Sequence, residues 1–154
     1  MARLPGSVLF ACDHNAVRSP IAEGLMKLRF GDRVYADSVG VRCADIDPFA
    51  VAVMDEIGVD LSAHKAKTFG DLTDTSFDYI VSLSPAAQHS AVELTRTMSC
   101  ELMFWHTLDA TAVRGNRDAI LQAYRDVRDA ISAKIDSWLG PEGWTKARGG
   151  PETP

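Results

Sequence analysis

Val8-Leu9-Phe10-Ala11-Cys12-Asp13-His14-Asn15-Ala16-Val17-Arg18-Ser19-Pro20 is the stretch on which the reading of this chain turns: an apolar run ending in a cysteine, five residues, then arginine and serine. A short apolar run bounded by polar turn residues fits a buried parallel strand, and Ser19 before Pro20 resembles a helix start. Strand, loop and helix then place Cys12 at the carboxyl end of a strand, where open α/β sheets bind ligands. There the N–H groups of the loop and of the first helical turn converge on one small volume suited to an oxyanion.

Each residue type has a reason to stand at its spacing. Converging N–H dipoles and Arg18 favour the thiolate of Cys12, which is the nucleophilic form. The planar fork of Arg18 takes two oxygens of a tetrahedral phosphate or arsenate at once. Ser19 is placed to donate to the sulfur, and Asn15 is one of the few non-glycine residues that accept positive φ readily. The expected oxyanion cradle is therefore Asp13, His14, Asn15, Ala16, Val17, Arg18 and Ser19. Taken singly, Cys12 also reads as one more small buried hydrophobe and Arg18 as a surface cation. The strand before them, the helix after them and Asn15 between them favour the site.

Working outward, Ile21, Leu25, Met26 and Leu28 form the apolar face of a helix ending near Phe30-Gly31. Residues 34–38 read as a second strand, 77–83 as a third and 101–105 as a fourth. Asp47-Pro48 and Ser84-Pro85 are cap-and-proline helix starts. The first of these opens a helix carrying Phe49, Val53 and Ile57 and ended by Gly58. Asn116 caps a long helix with the stripe Ile120, Tyr124, Val127, Ile131 and Ile135. This order predicts an α/β fold, three layers α/β/α with a four-stranded parallel sheet, as a single domain over residues 1–139. Glycine, proline and charge dominate residues 140–154, which read as a disordered tail.

The loop, together with Asp37-Ser38-Val39-Gly40, Asp47-Pro48 and the segment from Ile57 to Lys67, resembles the low-molecular-weight protein tyrosine phosphatases. Thioredoxin-coupled arsenate reductases share that fold, and the likeness runs over residues 7–135. The resemblance implies a cysteine-dependent phosphatase that forms a phosphocysteine, with Cys12 as nucleophile, Arg18 on the transition state and Asp109 as general acid. It needs no metal or other cofactor. The expected substrate is a phosphorylated small molecule or phosphoprotein, phosphotyrosine included, with inhibition by phosphate, vanadate or arsenate. A supporting network of Asn15, Ser19, Ser38 and His64 is also implied. On the residues alone, Ser38 reads as a turn residue, His64 as a surface loop histidine and Asp109 as a turn aspartate.

Departures from the pattern open alternatives. Ala110 stands where a proline usually stiffens the loop after Asp109, and His106 is the substitute acid. His14 replaces a glycine, Asp13 adds negative charge, and Val17 replaces a second loop cysteine, so no disulfide with Cys12 is available within the loop. The 41–46 segment is short and no tyrosine follows Asp109, against phosphotyrosine specificity. The arsenate reductases place a relay cysteine just after the third strand, where this chain has Ser84. Cys43 and Cys100 do not copy that relay. Two alternatives follow: an arsenate reductase using an external thiol, and a catalytically weak oxyanion-binding or adaptor module.

Composition agrees with a small enzyme. The 154 residues are 46% hydrophobic and 24% charged, enough for a sizeable core. A net charge of −5 argues against nucleic-acid binding. No stretch is long and apolar enough to span a membrane, and three widely spaced cysteines fit a reducing, cytoplasmic setting better than a disulfide framework.

Overall fold

The computed structural model describes residues 4–73 and 76–140; the tail expected to be disordered lies, from residue 141 on, outside the described residues. Eight main elements follow in order: β1 Ser7–Cys12, α1 Arg18–Phe30, β2 Tyr35–Gly40, α2 Pro48–Asp55, β3 Tyr79–Ser82, α3 Pro85–Leu94, β4 Glu101–Phe104 and α4 Arg117–Leu139. The four strands are all parallel in the order β2-β1-β3-β4, so the expected sheet is present. Its carboxyl ends all discharge into loops on one side of the molecule.

Period-two alternation along β1 sorts its side chains between two cores. Val8, Phe10 and Cys12 face a core built with α1, α2 and α4, while Leu9 and Ala11 face Ile80, Phe77 and the Ala87 and Ala91 stripe of α3. A strand buried on both faces reads as a continuous apolar run, which is why β1 is legible in sequence.

The local cap signals act as expected. Asp47 accepts from Phe49 N at 2.8 Å, Ser84 from Ala87 N at 3.2 Å and Asn116 from Ala119 N at 2.8 Å. Several boundaries differ. Pairing of Val39 and Gly40 with Ala11 and Cys12 carries β2 to residue 40. The third strand is only Tyr79–Ser82 and the fourth stops at Phe104. Leu28 is half-buried, and α2 ends before Ile57, with Gly58 at φ 81° beyond it.

Helix α1 begins at Arg18, one residue before the expected cap. Val17 occupies the N-cap position and offers no side-chain acceptor, so Ser19 lies within the first turn. A capping side chain would consume N–H groups that this fold leaves pointing out of the helix end. At the other end of α1, buried Arg29 pairs with Asp136 at 2.8 Å and donates to the Gly140 carbonyl, tying α1 to the end of α4.

Candidate active site

Cys12 ends β1 and is almost fully buried. Its Sγ accepts from the Ser19 N–H at 3.4 Å and lies 3.0 Å from Ser19 Oγ. The sulfur thus takes one N–H of the first turn of α1 and lies against a hydroxyl that also accepts from Asn15 and donates to the Val39 carbonyl at 3.2 Å; the N–H favours negative charge there. Between them, the backbone N–H groups of residues 13–17 have no acceptor among the described residues.

Asn15 holds the loop in shape. It adopts φ 53° and is completely buried. Nδ2 donates to Ser19 Oγ and to Ser38 Oγ, each at 2.9 Å, and Oδ1 accepts from Lys67 N at 2.9 Å. His64 Nε2 lies 3.1 Å from Oδ1 and 3.2 Å from the Asn15 carbonyl oxygen; both are acceptors, so Nε2 carries the hydrogen. The four residues implied as a network are therefore joined through one amide. Glu23 adds a member that sequence reading missed, because Ser38 donates to it. Gly40 is the other requirement: a Cβ there would lie 2.6 Å from Asn15 N and 2.8 Å from His14 C, so only glycine lets β2 back the loop.

Arg18 is 7% exposed and anchored from two sides. Nη1 donates to the Thr107 carbonyl at 3.0 Å, and Nη2 lies 3.4 Å from Asp13 Oδ2. The loop after β4 is stitched to the end of β3 by Trp105 N to Ser82 O and Thr107 N to Leu83 O, which presents that carbonyl. A carbonyl has no sequence signature, so no side-chain pattern announces this anchor.

A cleft of about 460 Å³ opens over the sulfur, walled by Cys12, His14, Arg18, Asp45, Ile46 and Asp109, among others. Asp47 fixes the far wall, because its Oδ2 accepts from the Tyr124 hydroxyl at 2.7 Å while Oδ1 caps α2. Burial and then this bond push the Tyr124 hydroxyl up. Asp109 lines the cleft; His106 does not, and instead packs its ring edgewise on exposed Phe104. Oδ1 of Asp109 accepts from Thr111 N at 3.0 Å and Thr111 Oγ1 at 2.6 Å, capping the short turn Ala110–Ala112. Thr111 thereby restrains the loop that lacks a proline. Burial pushes the Asp109 carboxyl up, but the Thr111 hydrogen bonds and the charges of Arg18 and His14 outweigh it, leaving it below the usual carboxylate range.

A hollow of about 540 Å³ lies beside the start of β4, lined by Asp78, Cys100 and Glu101 among others. Burial and then the neighbouring Glu101 charge push the Cys100 thiol up, which disfavours its thiolate. Cys43 is exposed, and neither of these thiols lines the cleft. Ser84 is committed to capping α3.

Comparison with known proteins agrees with this geometry. An arsenate reductase of Halalkalibacterium halodurans is 30% identical over 132 residues, covering 85% of this chain and 93% of that protein. The structure of the tyrosine phosphatase Wzb from Escherichia coli K30 in complex with sulphate superposes with a TM-score of 0.69 at 18% identity, covering 88% of this chain and 96% of the other. An arsenate reductase in the phosphate binding state superposes at 0.68 with 24% identity, covering 85% and 94%. The sequence model of the low molecular weight phosphotyrosine protein phosphatases matches residues 7–142, and this chain belongs to that family.

Proposed function

We propose that this chain is a phosphomonoester hydrolase that works through a phosphocysteine on Cys12. The observation that carries the reading is the sulfur held between the Ser19 N–H and hydroxyl at the uncapped start of α1, one residue from Arg18. The Cys12 thiolate attacks phosphorus as the P–O bond to the leaving group breaks. The cradle N–H groups and Arg18 carry the charge on the equatorial oxygens. Asp109 gives its proton to the departing oxygen, and its carboxylate then takes a proton from the water that cleaves the S–P bond. Asp109 is held as a carboxylate in the resting site, ready for the second step. An arriving oxyanion offsets the Arg18 charge, which raises the proton affinity of Asp109 for the first.

Among the described residues the cleft is lined by no Phe, Tyr or Trp that would select an aryl ring, so the leaving group is not restricted to one. Phosphate, vanadate and arsenate compete for the same cradle. A second reading, reduction of arsenate with an external thiol, is favoured by the relatives that carry that name. It needs only Cys12 and Arg18 of this chain. Hydrolysis of an aryl phosphate by wild type and its loss in Cys12→Ser tests the first reading. Retained turnover in Cys12→Ser overturns it.

A further inference from the structure

Asp13 is the feature of the cradle that oxyanion binding alone does not account for. One carboxylate oxygen, Oδ2, lies 3.4 Å from Arg18 Nη2. The other, Oδ1, is enclosed by protein and has no hydrogen-bond partner among the described residues. The backbone is pinned, since Arg42 N donates to the Asp13 carbonyl at 2.8 Å and Val41 N to the Cys12 carbonyl at 3.0 Å. The carboxylate therefore belongs to the frame of the loop. Asp13 does not line the cleft itself; an anion taken by Arg18 comes near its Oδ2, the oxygen beside Nη2, which can only accept.

Two oxygens that both only accept repel across such a contact, unless one of them brings a hydrogen. A proton on the ligand turns the clash into an O–H···O⁻ bond, among the stronger hydrogen bonds available. We propose that Asp13 determines specificity by selecting tetrahedral oxyanions that carry an O–H. Inorganic phosphate, arsenate and the monoanion of a phosphomonoester qualify. Sulfate and the fully ionised ester do not. The ligand hydroxyl donates to the Asp13 carboxylate, and Arg18 keeps its contact with the same group. The inference rests on the reading of residues 12–19 as the oxyanion site.

Calorimetric titration of the full chain with sodium phosphate, arsenate and sulfate, at neutral pH and matched ionic strength, tests it. Wild type is expected to bind phosphate and arsenate at least about tenfold more tightly than sulfate, because a charged group left unpaired against the wrong ligand discriminates strongly. Asp13→Asn keeps the size of the side chain and adds a donor; Asp13→Ala removes the group outright. Both are expected to close the gap to about threefold, chiefly by a gain in sulfate affinity, since the repelled acceptor pair is gone. An unchanged gap in both variants overturns the proposal. So does an equal gain for all three anions, which would make Asp13 a mere competitor for Arg18, and so does wild type binding sulfate as well as phosphate or binding none of the three. Cys12-dependent turnover of an aryl phosphate is read separately, so a chain that hydrolyses without discriminating refutes this inference alone.

Discussion

Replacing Asn15 probes the frame on which Cys12 stands. Its side chain makes hydrogen bonds to Ser19, Ser38, Lys67 and His64, between 2.9 and 3.1 Å, and the residue is completely buried. Each such bond contributes a net of about 1 kcal/mol, so Asn15→Ala forfeits roughly 3–4 kcal/mol, softened because Ser19 and Ser38 keep other partners. Holding φ at 53° adds about 1–2 kcal/mol for a residue with a Cβ and no polar group to support the left-handed form. The sum, about 5 kcal/mol, is comparable with the whole stability of a small domain, about 5–15 kcal/mol. Asn15→Gly loses the same bonds without the φ term but pays in unfolded-chain entropy, so it should be less destabilised than Asn15→Ala by about 0.5–1 kcal/mol. Urea unfolding with the slope checked for constancy measures both, and the burst of phenol release reports the loop. Both variants should show a strongly reduced burst under conditions where they remain folded. A loss under about 1.5 kcal/mol in Asn15→Ala, or a wild-type burst in either variant, would refute the view that this amide shapes the cradle.

Asp109→Asn should slow esters with poor leaving groups by about 10²–10⁴-fold in the first half-reaction and nitrophenyl phosphate far less, with His106→Asn doing neither. As the proposed general acid, Asp109 works only while protonated, and against burial the Thr111 hydrogen bonds and the Arg18 and His14 charges hold its carboxyl low, so kcat/KM for the poor leaving group should fall as pH rises from the acid side, and Asp109→Asn should abolish that limb. Hydrogen bonds from Arg125 and then Arg128 hold the Glu56 carboxyl at about 2. Glu56 stabilises the fold above the ordinary glutamate range and ceases to as the pH falls through about 2. It is 37% exposed, and screening limits the loss in Glu56→Gln to about 1 kcal/mol at neutral pH, vanishing in strong acid, by urea titration at several pH values. With arsenate and thioredoxin as sole reductant, sustained turnover should be absent, because Ser84 caps α3 where a relay cysteine would stand; multiple turnovers would contradict this.

Much of this was legible because it is local. β1 is buried on both faces and so reads as an unbroken apolar run, and Asp47, Ser84 and Asn116 announce their helices because a cap acts within three residues. Positive φ at Asn15 follows from its residue type. The start of α1 was displaced because Ser-Pro imitates a cap, whereas Ser19 turns both its N–H and its hydroxyl toward Cys12. The Thr107 carbonyl under Arg18 and the Lys67 N–H on Asn15 are backbone groups brought in across 89 and 52 residues, and no side-chain pattern records them. Asp13 could be seen as a charge near an anion site, but its pairing with Arg18 depends on how the loop curls, as does the orphaned oxygen it leaves.

Acid quenching of the protein with a nitrophenyl phosphate, followed by peptide mass analysis, tests the central claim most directly. One phosphoryl group is expected on the peptide containing Cys12 during the burst. It should be absent from Cys12→Ser, and it should persist longer in Asp109→Asn, whose second step lacks its base. Turnover without a phosphoryl group on Cys12, or the group found on any other residue, would contradict the account.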